Sequence, residues 1–278
     1  MSQTTLRIGI DVGGTFTDFV IFDETSDNLY SFKIVSTPEA PDLAVLDGIA
    51  QIPELSHKIA SIVHGSTVAT NAVLEREGAR TALVATRGFR DVLTIGRQQR
   101  ARIYDLFSDR TPPLIPPEYC HEVTERVDCN GQVIHPLLDD EIPDLITKLR
   151  SQNIESVAVI LLFSFLYPEH EQRIAEALRE SDIYVSPSSE IMPEFREYER
   201  ASTTAINAYV TPILNRYIGQ LESKLTETTA DFRIMQSNGG SIRASTARRE
   251  AVRCILSGPA GGVVGADYVA QAAGFRDI

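Results

Sequence analysis

The stretch Ile8-Gly9-Ile10-Asp11-Val12-Gly13-Gly14-Thr15-Phe16-Thr17-Asp18-Phe19-Val20 constrains this chain more than any other. Leu6, Ile8 and Ile10 alternate with Arg7 and Gly9, the period-two pattern of a strand with one buried face. Asp11 ends that strand, and Val12-Gly13-Gly14-Thr15 is short and glycine-rich enough to be a tight turn. Phe19, Val20, Ile21 and Phe22 then resume an apolar run. The pattern is strand, glycine turn, strand, with Asp11 at one lip of the turn and Thr15, Thr17 and Asp18 at the other.

Such a turn has a chemical use. Adjacent glycines let backbone N–H groups approach an anion, because no Cβ intervenes and positive φ is cheap. Thr15 and Thr17 add hydroxyl donors, and Asp11 and Asp18 would repel a bare phosphate. Two acidic groups beside a phosphate-type turn therefore point to a bridging divalent cation or a polarised water. An ordinary hairpin is the alternative reading, since Gly-Gly is also a common turn dipeptide. The glycine spacing is that of neither the dinucleotide fingerprint nor the P-loop.

At 278 residues the chain accommodates one large or two modest domains. Its net charge of -12 argues against sequence-independent nucleic-acid binding, which needs a basic surface to displace counterions. Cys120, Cys129 and Cys254 show no Cys-x-x-Cys pairing, so neither a disulfide framework nor a zinc knuckle is indicated, and a reducing, cytoplasmic setting fits. Met1 to Thr5 lack the charged-then-apolar plan of a signal peptide. The longest apolar run, Val157 to Phe165, is too short to span a bilayer, so no membrane association is expected.

Further along, Leu29 to Val35 reads as a third strand and Leu43, Val45, Leu46 and Ile49 as one helical face. The strand Ile59 to Val63 runs into His64-Gly65-Ser66-Thr67-Val68-Ala69-Thr70-Asn71-Ala72, where Thr67 is placed to cap a helix that Gly78 stops. His64 stands where open α/β sheets present ligand groups, although residue type alone assigns it no proton transfer. Thr81 to Thr86 is another strand. Arg97, Arg100 and Arg102 then cluster in an otherwise acidic chain and could grip a carboxylate or phosphate, or be solvated loop charge. Tyr104 to Tyr119, with Pro112, Pro113, Pro116 and Pro117, reads as an irregular excursion.

Val123 to Val127 and Gln132 to His135 flank Asn130-Gly131, a hairpin signal. Helix, strand, helix, strand follow at about 140–151, 157–162, 168–179 and 183–185, the form of an α/β layer. A helix from about Glu194 should be kinked or divided at Pro212, and Arg196, Glu197, Glu199 and Arg200 on it read as surface ion pairs. Phe232 to Met235 ends in Gln236-Ser237-Asn238-Gly239-Gly240-Ser241. A last helix opens with Ser257-Gly258-Pro259-Ala260-Gly261-Gly262, where small residues imply close approach to another helix or to a ligand.

Taken together, Gly9 to Asp18, His64 to Ala72, Arg87-Gly88-Phe89-Arg90-Asp91, Glu194-Phe195-Arg196-Glu197-Tyr198-Glu199-Arg200 and Ser257 to Gly262 resemble the N-terminal part of the hydantoinase A / 5-oxoprolinase family, which includes subunits of acetone and acetophenone carboxylases. That family resembles the actin, hexokinase and heat-shock ATPase superfamily. The resemblance implies an α/β, ribonuclease H-like mixed sheet that begins with the phosphate hairpin and is flanked by helices. It implies a hydantoinase/oxoprolinase N-terminal domain over residues 1–190 and the start of the hydantoinase A domain over 191–278. A second Asp-x-Gly-Gly-Thr hairpin would follow in such proteins, so a truncated chain lacking the second lobe is expected.

The implied chemistry is ATP-dependent ring opening of a cyclic amide such as 5-oxoproline or a hydantoin, or the ATP-binding role in a ketone carboxylase. A non-catalytic half-domain that supports a partner chain is a third possibility. ATP activates the carbonyl by phosphorylation, a transfer that depends on positioning and charge neutralisation. On this basis Asp11 and Asp18 are assigned to Mg²⁺ or water, and Gly13, Gly14, Thr15, Thr17, Gly258, Gly261 and Gly262 to the phosphates. His64 is the third catalytic candidate, and Thr67, Asn71, Arg97 and Arg100 are assigned to the substrate. A hydantoinase B-type second subunit or domain and a homo- or hetero-oligomer are the implied partners.

Overall fold

The computed structural model describes residues 5–37, 40–52, 58–98, 104–105, 111–225 and 231–277. In chain order the elements are β1 (Thr5–Val12), β2 (Phe16–Asp23), β3 (Asn28–Val35), α1 (Pro41–Ala50), β4 (Lys58–Ser66), α2 (Val68–Leu74), β5 (Thr81–Thr86), α3 (Val92–Ile95), β6 (Cys120–Val123), β7 (Arg126–Val127) and β8 (Val133–His135). They continue with α4 (Glu141–Ser151), β9 (Ser156–Ile160), α5 (Glu169–Arg179), β10 (Tyr184–Pro187), α6 (Ser188–Ile191), α7 (Glu197–Leu225), β11 (Phe232–Met235), β12 (Ser241–Arg243), α8 (Ala244–Ala247) and α9 (Ser257–Ala272).

Two compact units result, one from Met1–Glu75 with Ile213–Ile278 and the other from Arg76–Pro212. The division at residue 190 read from the sequence does not coincide with this partition. The chain leaves the first unit after α2 and returns to it within α7, and a linear reading gives no sign that β11 will pair with β4.

In the first unit a six-stranded sheet has the order β12-β11-β4-β1-β2-β3. β1, β2 and β3 form an antiparallel meander, while β4 and β11 run parallel to β1 and β4 respectively. Strand alternation sends Leu6, Ile8, Ile10, Val12, Phe19 and Ile21 to one face, where all are buried. Helix α1 packs on that face. Its Gly48 makes the contact possible, since a Cβ there would lie 2.0 Å from the Phe19 ring.

In the second unit a four-stranded sheet has the order β10-β9-β5-β6, and every neighbouring pair is parallel. Both faces are covered. Ala82, Val84, Val157 and Val159 pack against α4 and α5 on one side, while Leu83, Ala158 and Ile160 meet Ala201, Ala205 and Ala208 of α7 on the other. This explains why β5 and β9 read as continuous apolar runs rather than alternating ones. Ile115, within the proline-rich excursion, is fully buried in the second of these clusters. The Asn130-Gly131 hairpin is present between β7 and β8, but Val123 belongs to β6 and the larger sheet.

Helix α7 continues through Pro212, so of the kink or division expected from the sequence, the division does not occur. Ala208, Tyr209, Val210 and Leu214 are all buried around the proline, so packing offsets the lost hydrogen bond. The sequence also mistakes Arg200 for a surface charge. It is 1% exposed, donates to Leu161 O (2.7 Å) and Ser164 Oγ (3.2 Å), and stacks over Phe165. No helix among the described residues is long and apolar enough to cross a membrane.

Candidate functional site

The site is built on the ends of β1, β2 and β4. Asp11 lies opposite Asp18 in the antiparallel register and opposite Gly65 in the parallel one. Alternation places Asp11 and Asp18 together on the exposed face, while Val12 and Thr17 turn into the core. A Cβ on Gly65 would stand 2.9 Å from Asp11 Oδ1, so the carboxylate lies over the β4 backbone in space that only glycine leaves free. Loss of water around this carboxyl, followed by the charge of Asp18, holds Asp11 above the usual carboxylate range. Neither aspartate has an ion-pair partner among the described residues.

The turn itself is braced from one side. Gly13 N–H donates to Phe16 O (3.0 Å), Ser36 N–H to Thr15 O (2.9 Å), and Ser36 Oγ to Gly13 O (2.8 Å). Among the described residues the N–H groups of Gly14 and Thr15 have no partner, and both residues are exposed. The glycines are not there for positive φ, which neither Gly13 nor Gly14 adopts. A Cβ on Gly13 would crowd Phe16 O at 3.1 Å, whereas one on Gly14 would meet nothing within 4 Å. Gly14 therefore keeps the approach to its own amide and that of Thr15 open.

Several sequence assignments change. Thr17 is fully buried, and its hydroxyl is 3.0 Å from Ser36 Oγ. Because Ser36 donates to Gly13 O, Thr17 donates to Ser36, bracing the turn from the core side instead of facing a phosphate. His64 is likewise fully buried, with Nε2 2.7 Å from Tyr217 OH and its ring against Phe232. Burial pushes its pKa down to about 4, so it is a neutral core histidine with no surface exposed to a ligand. Thr67 occupies the N-cap position of α2, but its hydroxyl makes no capping bond; it donates to Val12 O at 3.3 Å, while Ser66 Oγ accepts Val68 N–H at 3.2 Å. Gly78 lies beyond α2, which ends at Leu74.

The first turn of α9 reaches the same strand ends. Ser257 Oγ donates to Ser66 O at 3.4 Å, and Leu256 N–H donates to Thr70 Oγ1 at 3.0 Å. A Cβ on Gly261 would come within 3.1 Å of Met235, while Gly258 and Gly262 have nothing within 4 Å. Close approach to a helix, one of the two sequence readings, is not what these glycines serve among the described residues. Asn71 stands one turn along α2 from Thr67 and is half-buried. Arg97 belongs to the second unit, where it is ion-paired with Glu199. Arg100 and Arg102 lie outside the described residues.

Residues that the sequence did not single out complete the site. Ser36 had no motif to reveal it. Tyr217 was legible only as one apolar position on a helical face, although a buried phenol always needs a hydrogen-bond partner.

Comparisons with known proteins identify the family. Residues 7–182 match the model of the hydantoinase/oxoprolinase N-terminal region, and residues 200–278 match the hydantoinase/oxoprolinase model. The chain belongs to the hydantoinase/oxoprolinase family. It is 38% identical over 272 residues to an uncharacterized protein of Methanocaldococcus jannaschii, covering 95% of this chain and 40% of that one. It is 35% identical over 292 residues to caprolactamase subunit alpha of Pseudomonas jessenii, covering 100% and 42%. It is also 35% identical over 296 residues to 5-oxoprolinase 1 of Arabidopsis thaliana, covering 94% and 23%. This chain thus spans less than half the length of each.

Among solved structures, nucleotide-free acetone carboxylase superposes with a TM-score of 0.86 at 28% identity, over 98% of this chain and 41% of that one. The ATP-dependent caprolactamase of Pseudomonas jessenii gives 0.84 at 34% identity, over 97% and 41%. The mixed α/β architecture of the hydantoinase/oxoprolinase chain, opening on the β1–β2 hairpin, is the one expected of an actin-like ATPase.

Proposed function

We propose that this chain carries the phosphate-holding part of an ATP-dependent amidohydrolase acting on a cyclic amide. The observation that carries the reading is the facing pair Asp11 and Asp18 on the exposed side of the sheet, beside two unpartnered amides at Gly14 and Thr15. Two carboxylates that repel each other in a partly dehydrated setting suit a hard divalent cation, which takes oxygen ligands. Mg²⁺ fits this donor set, with Asp11 and Asp18 as the holding residues. The Gly14 and Thr15 amides would meet the phosphate oxygens, and the first turn of α9, which reaches the end of β4 at Ser66, would bring Gly258 to them. ATP would supply phosphoryl activation of the amide carbonyl. The chain's own contribution is to orient the phosphates and offset their charge.

Several relatives are ATP-dependent enzymes or subunits of multi-subunit enzymes, and their reactions divide into amide hydrolysis and ketone carboxylation. The amide reading draws on the caprolactamase subunit and the 5-oxoprolinase among the relatives, each 35% identical to this chain. A hydantoinase B-type subunit or domain as partner is part of the proposal. Helix α9 offers it apolar surface, since Val263, Tyr268 and Val269 are exposed.

Calorimetric titration of the chain with MgATP, and with ATP in excess chelator, tests the site. Binding that requires the metal and is lost in Asp11→Asn is the expected result. Equal affinity in Asp11→Asn removes Asp11 from the site. ATP consumption measured with 5-oxoproline, a hydantoin, caprolactam, and acetone plus bicarbonate separates the reactions in the assembled enzyme.

A further inference from the structure

The β4 strand presents Gly65 to Asp11 on one face of the sheet. Its neighbours on either side, His64 and Ser66, point to the opposite face, and both are buried. Both meet the same group. Tyr217 OH is 2.7 Å from His64 Nε2, and the Ser66 side chain acts on the same phenol, offsetting part of the upward push that burial gives its pKa. Tyr217 is itself 5% exposed, on the half of α7 that belongs to the same unit.

Ser66 Oγ also accepts Val68 N–H at 3.2 Å. Burial pushes the Tyr217 phenol up and His64 down, so both stay uncharged across the neutral range. A buried, uncharged hydrogen-bonded pair of this kind rigidifies the segment that carries it.

We propose that Tyr217 is a positioning residue, a staple whose hydroxyl holds His64, the neighbour of Gly65 on β4, and thereby fixes where the Asp11 carboxylate lies. The consequence for nucleotide rests on the ATP-site reading above; the staple itself does not. A shift of the β4 pleat by a few tenths of an ångström would move the backbone under Asp11 Oδ1, because the available clearance already excludes a methyl group. Outer groups that orient a ligating side chain commonly matter about tenfold or more for metal affinity without touching the metal.

The test is Tyr217→Phe, which keeps the ring and removes only the bridge, with Ile218→Val as a control for loss of core stability on the same helix. The first readout is the Asp11 carboxyl ¹³C chemical shift at neutral pH, which needs no nucleotide. We expect it to move in Tyr217→Phe and to stay in place in Ile218→Val. An Asp11 shift identical to wild type in Tyr217→Phe overturns the staple.

The second readout is MgATP affinity, expected to fall about tenfold in Tyr217→Phe. A wild-type chain that binds no MgATP refutes the nucleotide site, while the Asp11 resonance still decides the staple. Affinity lost equally in Ile218→Val and Tyr217→Phe would make the effect general destabilisation and overturn the positioning role.

Discussion

His64 gives the sharpest stability prediction. Its folded-state pKa is about 4 against an ordinary value of 6.5, because a fully buried imidazole cannot be hydrated when charged. The folded value lies below the unfolded one, so the unfolded chain binds the extra proton first. Stability from this residue is therefore present above the ordinary pKa, is lost as pH falls towards the folded pKa, and changes no further below it. The interval between the two values corresponds to about 3 kcal/mol in total, of which about 2 kcal/mol is lost between about pH 7 and pH 5.

His121 is also held below its ordinary value, by burial and then by Lys148, and its contribution has the same sign. Comparison with a variant is therefore needed. His64→Gln keeps an acceptor for Tyr217 OH and cannot titrate. Urea unfolding at a series of pH values should show the two proteins diverging in pH dependence, with the wild type losing about 2 kcal/mol more than His64→Gln on acidification. Parallel curves would refute the claim that His64 is neutral and enclosed.

Three further outcomes follow from particular contacts. Gly65→Ala would place a Cβ 2.9 Å from Asp11 Oδ1, so it should displace the carboxylate and abolish metal-dependent MgATP binding while far-ultraviolet circular dichroism stays native. Thr17→Val removes the hydroxyl bonded to Ser36 Oγ and should cost about 1 kcal/mol in urea unfolding, with MgATP affinity, measured by titration, changed less than in Asp11→Asn. Arg200→Met strips the donors from Leu161 O and Ser164 Oγ, and thermal unfolding should report a loss of about 3 kcal/mol; a neutral effect would show that the guanidinium's own desolvation cancels its hydrogen bonds.

What was legible in the sequence was local. The β1–β2 hairpin, β3, α1, α4 and α5 follow from short-range periodicity and breakers, which a linear chain displays directly. So did the Asp11–Asp18 pair, because a two-residue turn fixes the antiparallel register and the alternation that puts both on one face. The same rule, applied one residue further, would have placed Thr17 on the other face with Phe19. The motif's polar residues were treated as one set because composition carries no sense of side.

The sequence by itself thus determined the family, the hairpin and the acidic pair. Tertiary structure decided which polar groups are buried and what they serve. His64 and Arg200 look like surface chemistry in a string of letters, and both are enclosed by segments distant in sequence: Tyr217 and Phe232 for one, Leu161, Ser164 and Phe165 for the other. The β4–β11 pairing, between strands that the whole second unit separates in the chain, is likewise a long-range contact. Local propensity specifies strands and turns, but the burial of a polar side chain depends on partners that only the folded chain brings within hydrogen-bonding distance.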